Sequence, residues 1–352
     1  MINKLNQIYN IFSDNLSKEL YRLRVNWLMT GDYKYIKQIV EYSHPEEPVW
    51  NGKEEKEFLN ILPQNKKIIF YGAGSFAERL IPYLKTTSLK CEFCDTNKKL
   101  QETGFEGYNV ISPQALIGMK ENKAVIICTT KYIEEVKKYL LENGIKKEDI
   151  IDIRPYFKCG TGDEYFNENF LKYSEKEIFI DAGSFDLGTV IDFKKVCNTL
   201  TKAYAFEPDA SNYKKCLHRL EEQKSELPQT KLYQYGTWSC TTELCFDSTS
   251  DGCSHIGEGK TIIKTAAIDD LVDKGDKITF IKMDVEGAEL ESLKGAKKII
   301  QRDKPKLAIC IYHKPEDVIT LPLYIKQLVP EYKFYLRSYS NADNEMVLYA
   351  VL

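Results

Sequence analysis

Residues 178–189, Ile-Phe-Ile-Asp-Ala-Gly-Ser-Phe-Asp-Leu-Gly-Thr, place a short apolar strand, an acid, a glycine turn and the start of a helix in immediate succession. A chain that turns on Gly183 directly after a strand can bring its backbone close to a ligand, and the following helix aims free N–H groups at it. Two further runs narrow the reading. Ala203-Tyr-Ala-Phe206 ends in Glu207-Pro208-Asp209, an acid 24 residues after Gly183. That is near the roughly 20-residue offset at which nucleotide-binding α/β folds grip ribose hydroxyls. Ile278-Thr-Phe-Ile-Lys-Met283 ends in Asp284 and Glu286. Three strand tips bearing acids predict one crevice at the carboxyl ends of a largely parallel sheet.

The rest of the chain is ordered around that pattern. With 352 residues it has room for two domains and an extension. Residues 1–63 read as a helical segment, with Leu16, Leu20, Leu23, Trp27 and Leu28 at helical spacing and Ser13 or Asp14 as cap. Residues 64–158 form a first α/β unit. Its Lys67–Tyr71 strand runs into Gly72-Ala-Gly74-Ser75-Phe76, and Asp95 stands 21 residues beyond Gly74. This is the strand, glycine turn and helix context of a dinucleotide fingerprint. Residues 159–177, with Gly160-Thr-Gly-Asp163, read as a linker, and Tyr165–Tyr173 as a short helix within it. From 178 to 352 strands and helices alternate, and the runs 333–339 and 346–351 close the domain as an antiparallel pair.

Bulk properties exclude several classes. A net charge of −3 gives no electrostatic footprint for nucleic acid. No run approaches the roughly 18 apolar residues of a membrane span, and the N-terminus lacks a signal-peptide core. The ten scattered cysteines fit reduced thiols in the cytoplasm, and the lone Cys91-x-x-Cys94 pair, in an expected strand, reads as packing.

Ile281-Lys-Met-Asp-Val-Glu-Gly-Ala-Glu-Leu-Glu-Ser-Leu-Lys-Gly-Ala296, with Phe206-Glu-Pro-Asp209, Ala267-Ile-Asp-Asp-Leu271 and Asp181-Ala-Gly183, resembles the FkbM-type methyltransferases. The likeness covers about 178–352. It implies a class I methyltransferase Rossmann-like fold, S-adenosylmethionine as cofactor, and O-methylation (less often N-methylation) of sugars, glycolipids or secondary metabolites; the expected activity is O-methylation of a sugar, a glycan or a nucleotide-linked sugar. One departure stands out: Leu187 occupies a position where the family carries a small residue, and Gly188 follows one place later. Either the turn is shifted or the cofactor loop is altered. The 64–158 unit is similar, through Gly72-Ala-Gly74, Asp95-Thr-Asn97 and Gly107–Pro113, to nucleotide-sugar-binding domains of bacterial sugar-modifying enzymes. That likeness implies a nucleotide or nucleotide-sugar site at Gly72, Gly74, Ser75, Phe76 and Asp95, beside the plainer reading of a unit that holds nothing.

The resemblance sets the expected roles. Glu207 would accept the ribose hydroxyls, Asp181, Gly183, Ser184 and Phe185 would hold the amino-acid end, and Gly236 would lie along the adenine. His313, at the tip of a fifth strand, would be the general base, because histidine titrates near neutral pH; the alternative is a structural hydrogen bond. Asp284 would be base, base-orienter or ligand, and Glu286 a second catalytic acid or a charge at its own helix N-terminus. Asp284, Glu286 and Asp209 could also gather around Mg²⁺, but a metal is not favoured in the expected set. The expected partner is a small-molecule or glycan acceptor, and a homo-oligomer is left open. The competing readings are a non-catalytic two-domain scaffold of glycan assembly and a dinucleotide-dependent oxidoreductase or epimerase. No Tyr-x-x-x-Lys pair accompanies the Gly72 turn to support the latter.

Overall fold

The apolar runs that end in acids are the central strands of the structure, a computed structural model that describes residues 2–32, 34–43, 53–129, 133–153, 165–224, 226–247, 255–256, 261–340 and 345–352. The expected loop 44–48, the linker Gly160-Thr-Gly-Asp163, most of the 251–257 turn and the 341–344 turn lie outside the described residues. The chain divides into two compact units, His44–Cys159 and a second made of Met1–Ser43 with Gly160–Leu352.

The smaller unit has strands β1 (Lys67–Tyr71), β2 (Cys91–Cys94), β3 (Val110–Ile111), β4 (Lys123–Ile127) and β5 (Ile150–Asp152) in one sheet, ordered β3-β2-β1-β4-β5. All neighbouring pairs are parallel. Parallel strands with helical crossovers are covered on both faces and so read as nearly continuous apolar runs. Phe58, Leu59 and Leu62, in and after the helix Lys53–Ile61, pack into this unit's core beside Phe70 and Phe93. Cys94 is buried and its thiol is pushed up to about 12 by burial, as expected of a packing residue.

The larger unit has β6 (Glu177–Ala182), β7 (Leu200–Phe206), β8 (Gln229–Tyr233), β9 (Gly236–Thr237), β10 (Thr242–Asp247), β11 (His255–Ile256), β12 (Thr261–Ala266), β13 (Phe280–Met283), β14 (Lys306–Cys310), β15 (Lys333–Ser338) and β16 (Met346–Val351). Seven of them form one sheet, ordered β15-β16-β14-β13-β6-β7-β8. Every neighbouring pair is parallel except those made by β16, which runs antiparallel to both β14 and β15. The order reverses between β6 and β13, which makes that pair the switch point where α/β sheets bind ligands. The remaining four strands form a small separate sheet, β11-β10-β12-β9. Within it β10 and β12 pair antiparallel, with Leu244 opposite Ile263.

Side-chain alternation along the central strands sorts the core into two layers. Ile178, Ile180, Ala182, Ile281 and Met283 face one way, and Phe179 and Phe280 the other, against Phe166 and Phe193. Asp181 and Lys282 share the second face by the same period of two. The expected first strand, 178–180, is longer than its apolar run, and this extension takes Asp181 out of the loop and into the sheet. Residues 165–173 form turns instead of the expected helix; Tyr165 has φ +73°, and the segment contributes Phe166 and Leu171 to the core. The helix after β13 begins only at Glu289, because Glu286 and Gly287 lie in left-handed backbone at φ +54° and +90°.

The helical segment read as 1–63 is divided between the units. Ile8, Phe12, Leu20, Leu23 and Ile36 join the core of the larger one, while the helix Lys53–Ile61 belongs to the smaller. Asp14 caps the helix Asn15–Thr30 by accepting the Ser17 N–H at 2.8 Å, and Gly31 ends it in left-handed conformation. This segment also closes the outer edge of β15. Phe12 bridges Phe334, the Ser13 N–H donates to the Phe334 carbonyl at 2.9 Å, and buried Ser17 Oγ accepts the Leu336 N–H at 2.8 Å. An unpaired sheet edge invites association with other chains, and covering it removes that hazard. Arg337 locks the arrangement by donating to Asp14 at 2.8 Å and to Glu168 at 2.9 Å. Arg337→Ala leaves both carboxylates without their cation, so it is expected to lower unfolding free energy by about 2–3 kcal/mol. That is somewhat below the ~3–5 kcal/mol of a fully buried pair, because the acids keep some solvent. Urea unfolding of the two proteins measures it, and a change under about 0.5 kcal/mol would show that the edge contact is incidental.

Candidate functional site

The carboxyl ends of β6, β7 and β13, with one wall from the small sheet, line a cleft that opens to solvent. Gly183, Phe185, Glu207, Gly236, Asp284 and Glu286 all line it, so six of the expected site residues meet in one place. Tyr235, Ile263 and Thr265 complete the wall opposite the loop after β6.

Backbone geometry explains the loop. Gly183 has φ +83°, and a Cβ there would stand 1.8 Å from the Asp284 carbonyl oxygen, so only glycine lets β6 and β13 end side by side. The Gly183 and Ser184 N–H groups both donate to the Phe206 carbonyl, at 3.1 and 3.0 Å, which folds the loop back over β7. Phe185 and Leu187 follow at φ +51° and +66°. Leu187 is wholly buried among Val190, Phe193 and Phe179 and is absent from the cleft lining. The departure from the family pattern is thereby accounted for: the residue accepts a left-handed backbone and fills the core, and the helix starts at Gly188.

Glu207 is the acid at the floor of the cleft. One of its oxygens accepts the Phe185 N–H at 2.9 Å and the other the Asp209 N–H at 2.9 Å. Each oxygen keeps capacity for another donor. Burial pushes this carboxyl up to about 7, against the opposing effect of the two N–H donors. Asp209 is committed elsewhere, accepting the Ser211 and Asn212 N–H groups at 2.8 and 3.0 Å as a helix cap. It is therefore not part of the expected Asp284, Glu286 and Asp209 ligand set.

Two expected cofactor residues lie beneath the cleft instead of on it. Asp181 is fully buried, with an oxygen 3.3 Å from Lys282 Nζ, and Lys282 donates to the Gly183 carbonyl at 2.8 Å. Burial raises the Asp181 carboxyl. Burial works against the charge of Lys282, but Asp181 and Asp284 outweigh it and hold the ammonium above its usual range. Ser184 is also buried, its hydroxyl donating to the Asp181 carbonyl at 3.0 Å. Both act on the loop from below.

A second cluster stands at the β13 and β14 tips. His313 Nε2 lies 3.3 Å from Asp284 Oδ1 and 3.5 Å from Glu286 Oε2, and its Nδ1 lies 2.8 Å from Glu289 Oε1. Burial disfavours the charged ring, but Glu289, Asp284 and Glu286 outweigh it and raise His313 to about 9. In this state the ring carries a proton on each nitrogen at neutral pH. It is also absent from the cleft lining. On both counts the structure departs from the expected general base. Asp284 is held by the Tyr165 hydroxyl at 3.3 Å and the Tyr312 hydroxyl at 3.2 Å. Glu289, fully buried, accepts the Val285 and Gly287 N–H groups at 3.1 and 3.4 Å. Glu289, Tyr165, Tyr312 and Lys282 were not singled out from sequence. Glu289 lies inside the motif quoted above, three residues after Glu286, and only the left-handed turn at 286–287 sends it back beneath His313.

In the smaller unit, Asp95 accepts the Ala73 and Asn97 N–H groups, each at 2.8 Å, an arrangement that matches Glu207 with Phe185 and Asp209. Gly72 has φ +108°, with a Cβ position 3.1 Å from the Cys128 carbonyl, whereas a Cβ at Gly74 would meet open space. The side chains of Ser75 and Phe76 lie outside the described residues.

The strand order, with a lone antiparallel strand and a cleft at its switch point, defines the larger unit as a class I methyltransferase Rossmann-like fold. More particularly, residues 181–338 match the family described as the methyltransferase FkbM domain. Residues 64–151 match a family described as C2185-like, N-terminal. Hexuronic acid methyltransferase AglP of Haloferax volcanii is 33% identical over 134 residues, 36% of this chain and 53% of that protein. The match thus spans about half the length of that curated relative. Among solved structures, methyltransferase FkbM from Methylobacillus flagellatus KT aligns with a TM-score of 0.48 at 18% identity, over 92% of this chain and 99% of that one. The N-terminal domain of human METTL16 in complex with SAH aligns with a TM-score of 0.32 at 14% identity, over 51% and 62%. Among the described residues, no helix is long and apolar enough to cross a membrane.

The elevated Glu207 carboxyl has a consequence for the ligand-free protein. The folded chain keeps that proton up to pH about 7, whereas the unfolded chain releases it near the ordinary 4.5. The folded state therefore binds more protons in this window, and stability falls as pH rises through it, by about 3 kcal/mol in total. Calorimetric melting of wild type and Glu207→Gln from pH 5 to 8 is expected to show the variant gaining on wild type as pH rises. A pH-independent difference would refute the burial effect.

Proposed function

We propose that this protein transfers a methyl group from S-adenosylmethionine to an oxygen of a sugar, free, in a glycan or nucleotide-linked. The observation that carries this reading is Glu207 at the floor of the cleft, its oxygens fixed by two backbone N–H groups and still able to accept two hydroxyls. A ribose presents such a hydroxyl pair. The Gly183–Phe185 loop and the Tyr235–Gly236 wall are the surroundings for the two ends of the same molecule. The sugar class is supported by the likeness to a hexuronic acid methyltransferase.

When bound, the cofactor supplies an electrophilic methyl group on a sulfonium. The chain's own contribution is alignment, which can provide on the order of 7–11 kcal/mol. Methyl transfer to an acceptor hydroxyl would require the chain to take up the hydroxyl proton. Asp284 or Glu286, the carboxylates that line the cleft at the β13 tip, would receive that proton. Tyr165 and Tyr312 keep Asp284 from rotating away.

Calorimetric titration with S-adenosylmethionine tests the donor half of this reading. Wild type is expected to bind and Glu207→Ala to lose at least tenfold in affinity; no binding by wild type would favour the scaffold reading instead. With an acceptor in hand, Asp284→Asn is expected to keep cofactor affinity within a few-fold and lower kcat by about 10²–10⁴.

The smaller unit, in the same reading, holds a nucleotide or nucleotide-sugar against the Gly72–Gly74 turn, supported by the arrangement at Asp95. Gly74→Val can be accommodated by the fold and would fill the space a phosphate needs. A UDP-sugar titration is expected to give binding that Gly74→Val abolishes and Glu207→Ala leaves intact. Equal binding by Gly74→Val would remove the ligand from this unit.

A further inference from the structure

The cluster behind the acceptor side of the cleft has a composition that proton transfer alone does not explain. Asp284, Glu286 and His313 each offer one donor atom, and these atoms lie within 4.8 Å of one another. Neighbouring ligands on an octahedral ion with bonds of about 2.1 Å stand about 3 Å apart. The Nε2 distances of 3.3 Å to Asp284 and 3.5 Å to Glu286 are within a few tenths of an ångström of that edge. We infer that Asp284, Glu286 and His313 form a divalent-cation site on the acceptor side of the cleft, a reading that rests on the methyltransferase function proposed above.

A cluster of acids alone would not carry this. The independent observation is His313, whose side chain is only 9% exposed: Nδ1 faces Glu289 at 2.8 Å, whereas Nε2, aimed between the two carboxylates, makes no hydrogen bond of good geometry. A buried ring nitrogen without a hydrogen bond is costly, and a metal ion satisfies it. The outer partners also fit. Glu289 stands behind the imidazole, 2.8 Å from Nδ1, and is itself fixed by two backbone N–H groups. This carboxylate–imidazole order is how metal-binding histidines are oriented. Asp284 is steadied by two tyrosine hydroxyls. Glu286 reaches the cluster only because its backbone adopts φ +54°, a conformation that costs energy in a non-glycine residue and recurs at ligand sites.

The donor set indicates the ion. Two carboxylates and an imidazole that releases its Nε2 proton as the ion binds balance a charge of +2 and leave coordination positions open toward the cleft, which Asp284 and Glu286 line. Mixed oxygen and imidazole donors suit Mn²⁺ and its neighbours better than an all-oxygen site for Ca²⁺. The open positions suit the hydroxyl oxygens of a sugar. The expected alternative set with Asp209 is not the one assembled, since that residue caps a helix.

Full-length protein dialysed against EDTA and then into chelator-free buffer would be titrated with Mn²⁺. The free-ion signal would be read by electron paramagnetic resonance and the heat by calorimetry. One Mn²⁺ per chain is expected, with affinity reduced at least tenfold in Asp284→Asn and His313→Ala and about 10–100-fold in Glu289→Gln. Asp273→Asn, in an exposed ion pair with Lys231, is the control expected to bind as wild type. Far-UV circular dichroism checks that each variant is folded, and Asp284→Asn, which removes only a charge on the cleft wall, carries the test if His313→Ala is not. Failure of the folded wild type to bind Mn²⁺, or equal binding by Asp284→Asn, overturns the inference. S-adenosylmethionine binding is measured in parallel with EDTA present. Cofactor binding without Mn²⁺ binding removes the metal and keeps the methyl-donor reading. Site-specific Mn²⁺ binding without cofactor binding does the reverse.

Discussion

The buried Asp181–Lys282 pair at the β6–β13 junction is the constraint on which the cleft depends. Two charged side chains in a sheet interior are costly unless each is the other's partner. Here they sit opposite each other in the strand register, on the face they share with Phe179 and Phe280. Lys282 also holds the Gly183 carbonyl, so the cation that neutralises Asp181 fixes the turn above it. The close approach of Gly183 to the Asp284 carbonyl follows from that alignment. Without it, the loop after β6 and the acids after β13 would not share a wall.

Around this junction each acid has a distinct task set by its surroundings. Glu207 and Asp284 face the cleft, while Asp209 is consumed as a helix cap and Glu289 lies behind His313. The N-terminal helices, distant in sequence, take part as well. Besides closing the β15 edge, buried Arg24 donates to the Tyr312 carbonyl at 3.3 Å, next to His313. Removing the helical preface would therefore disturb both the sheet edge and the strand tip that carries the histidine. In the smaller unit, Asp95 ties its glycine turn in the same manner, accepting the Ala73 and Asn97 N–H groups.

The fold was largely legible because parallel strands buried on both faces must be short apolar runs, and their acid tips and glycine turns survive in the sequence as local signals. Gly183, Phe185, Glu207, Gly236, Asp284 and Glu286 could be found that way. Asp181 was misplaced for a local reason: an acid after three apolar residues looks like a loop residue, and its buried partner lies about a hundred positions away. The ionisation of His313 is hidden from the sequence for the same reason, since it depends on Asp284, Glu286 and Glu289 brought against the ring by packing. Tyr165 was expected in a short helix, although its left-handed backbone and its contact with Asp284 are set by packing alone.

The alternation of strands and helices, the two glycine turns, the acid that ends β7 and the motif around Asp284 that resembles FkbM-type domains can all be read from the sequence alone. These are local matters of periodicity, turn chemistry and residue spacing. Only the tertiary structure decided which acids face the cleft, that Leu187 fills the core without entering the cofactor loop, and that Glu289 and His313 meet behind Asp284. Those outcomes depend on strand register and on left-handed turns at 185, 187 and 286, where long-range packing overrides local preference, and no residue-by-residue reading can supply them.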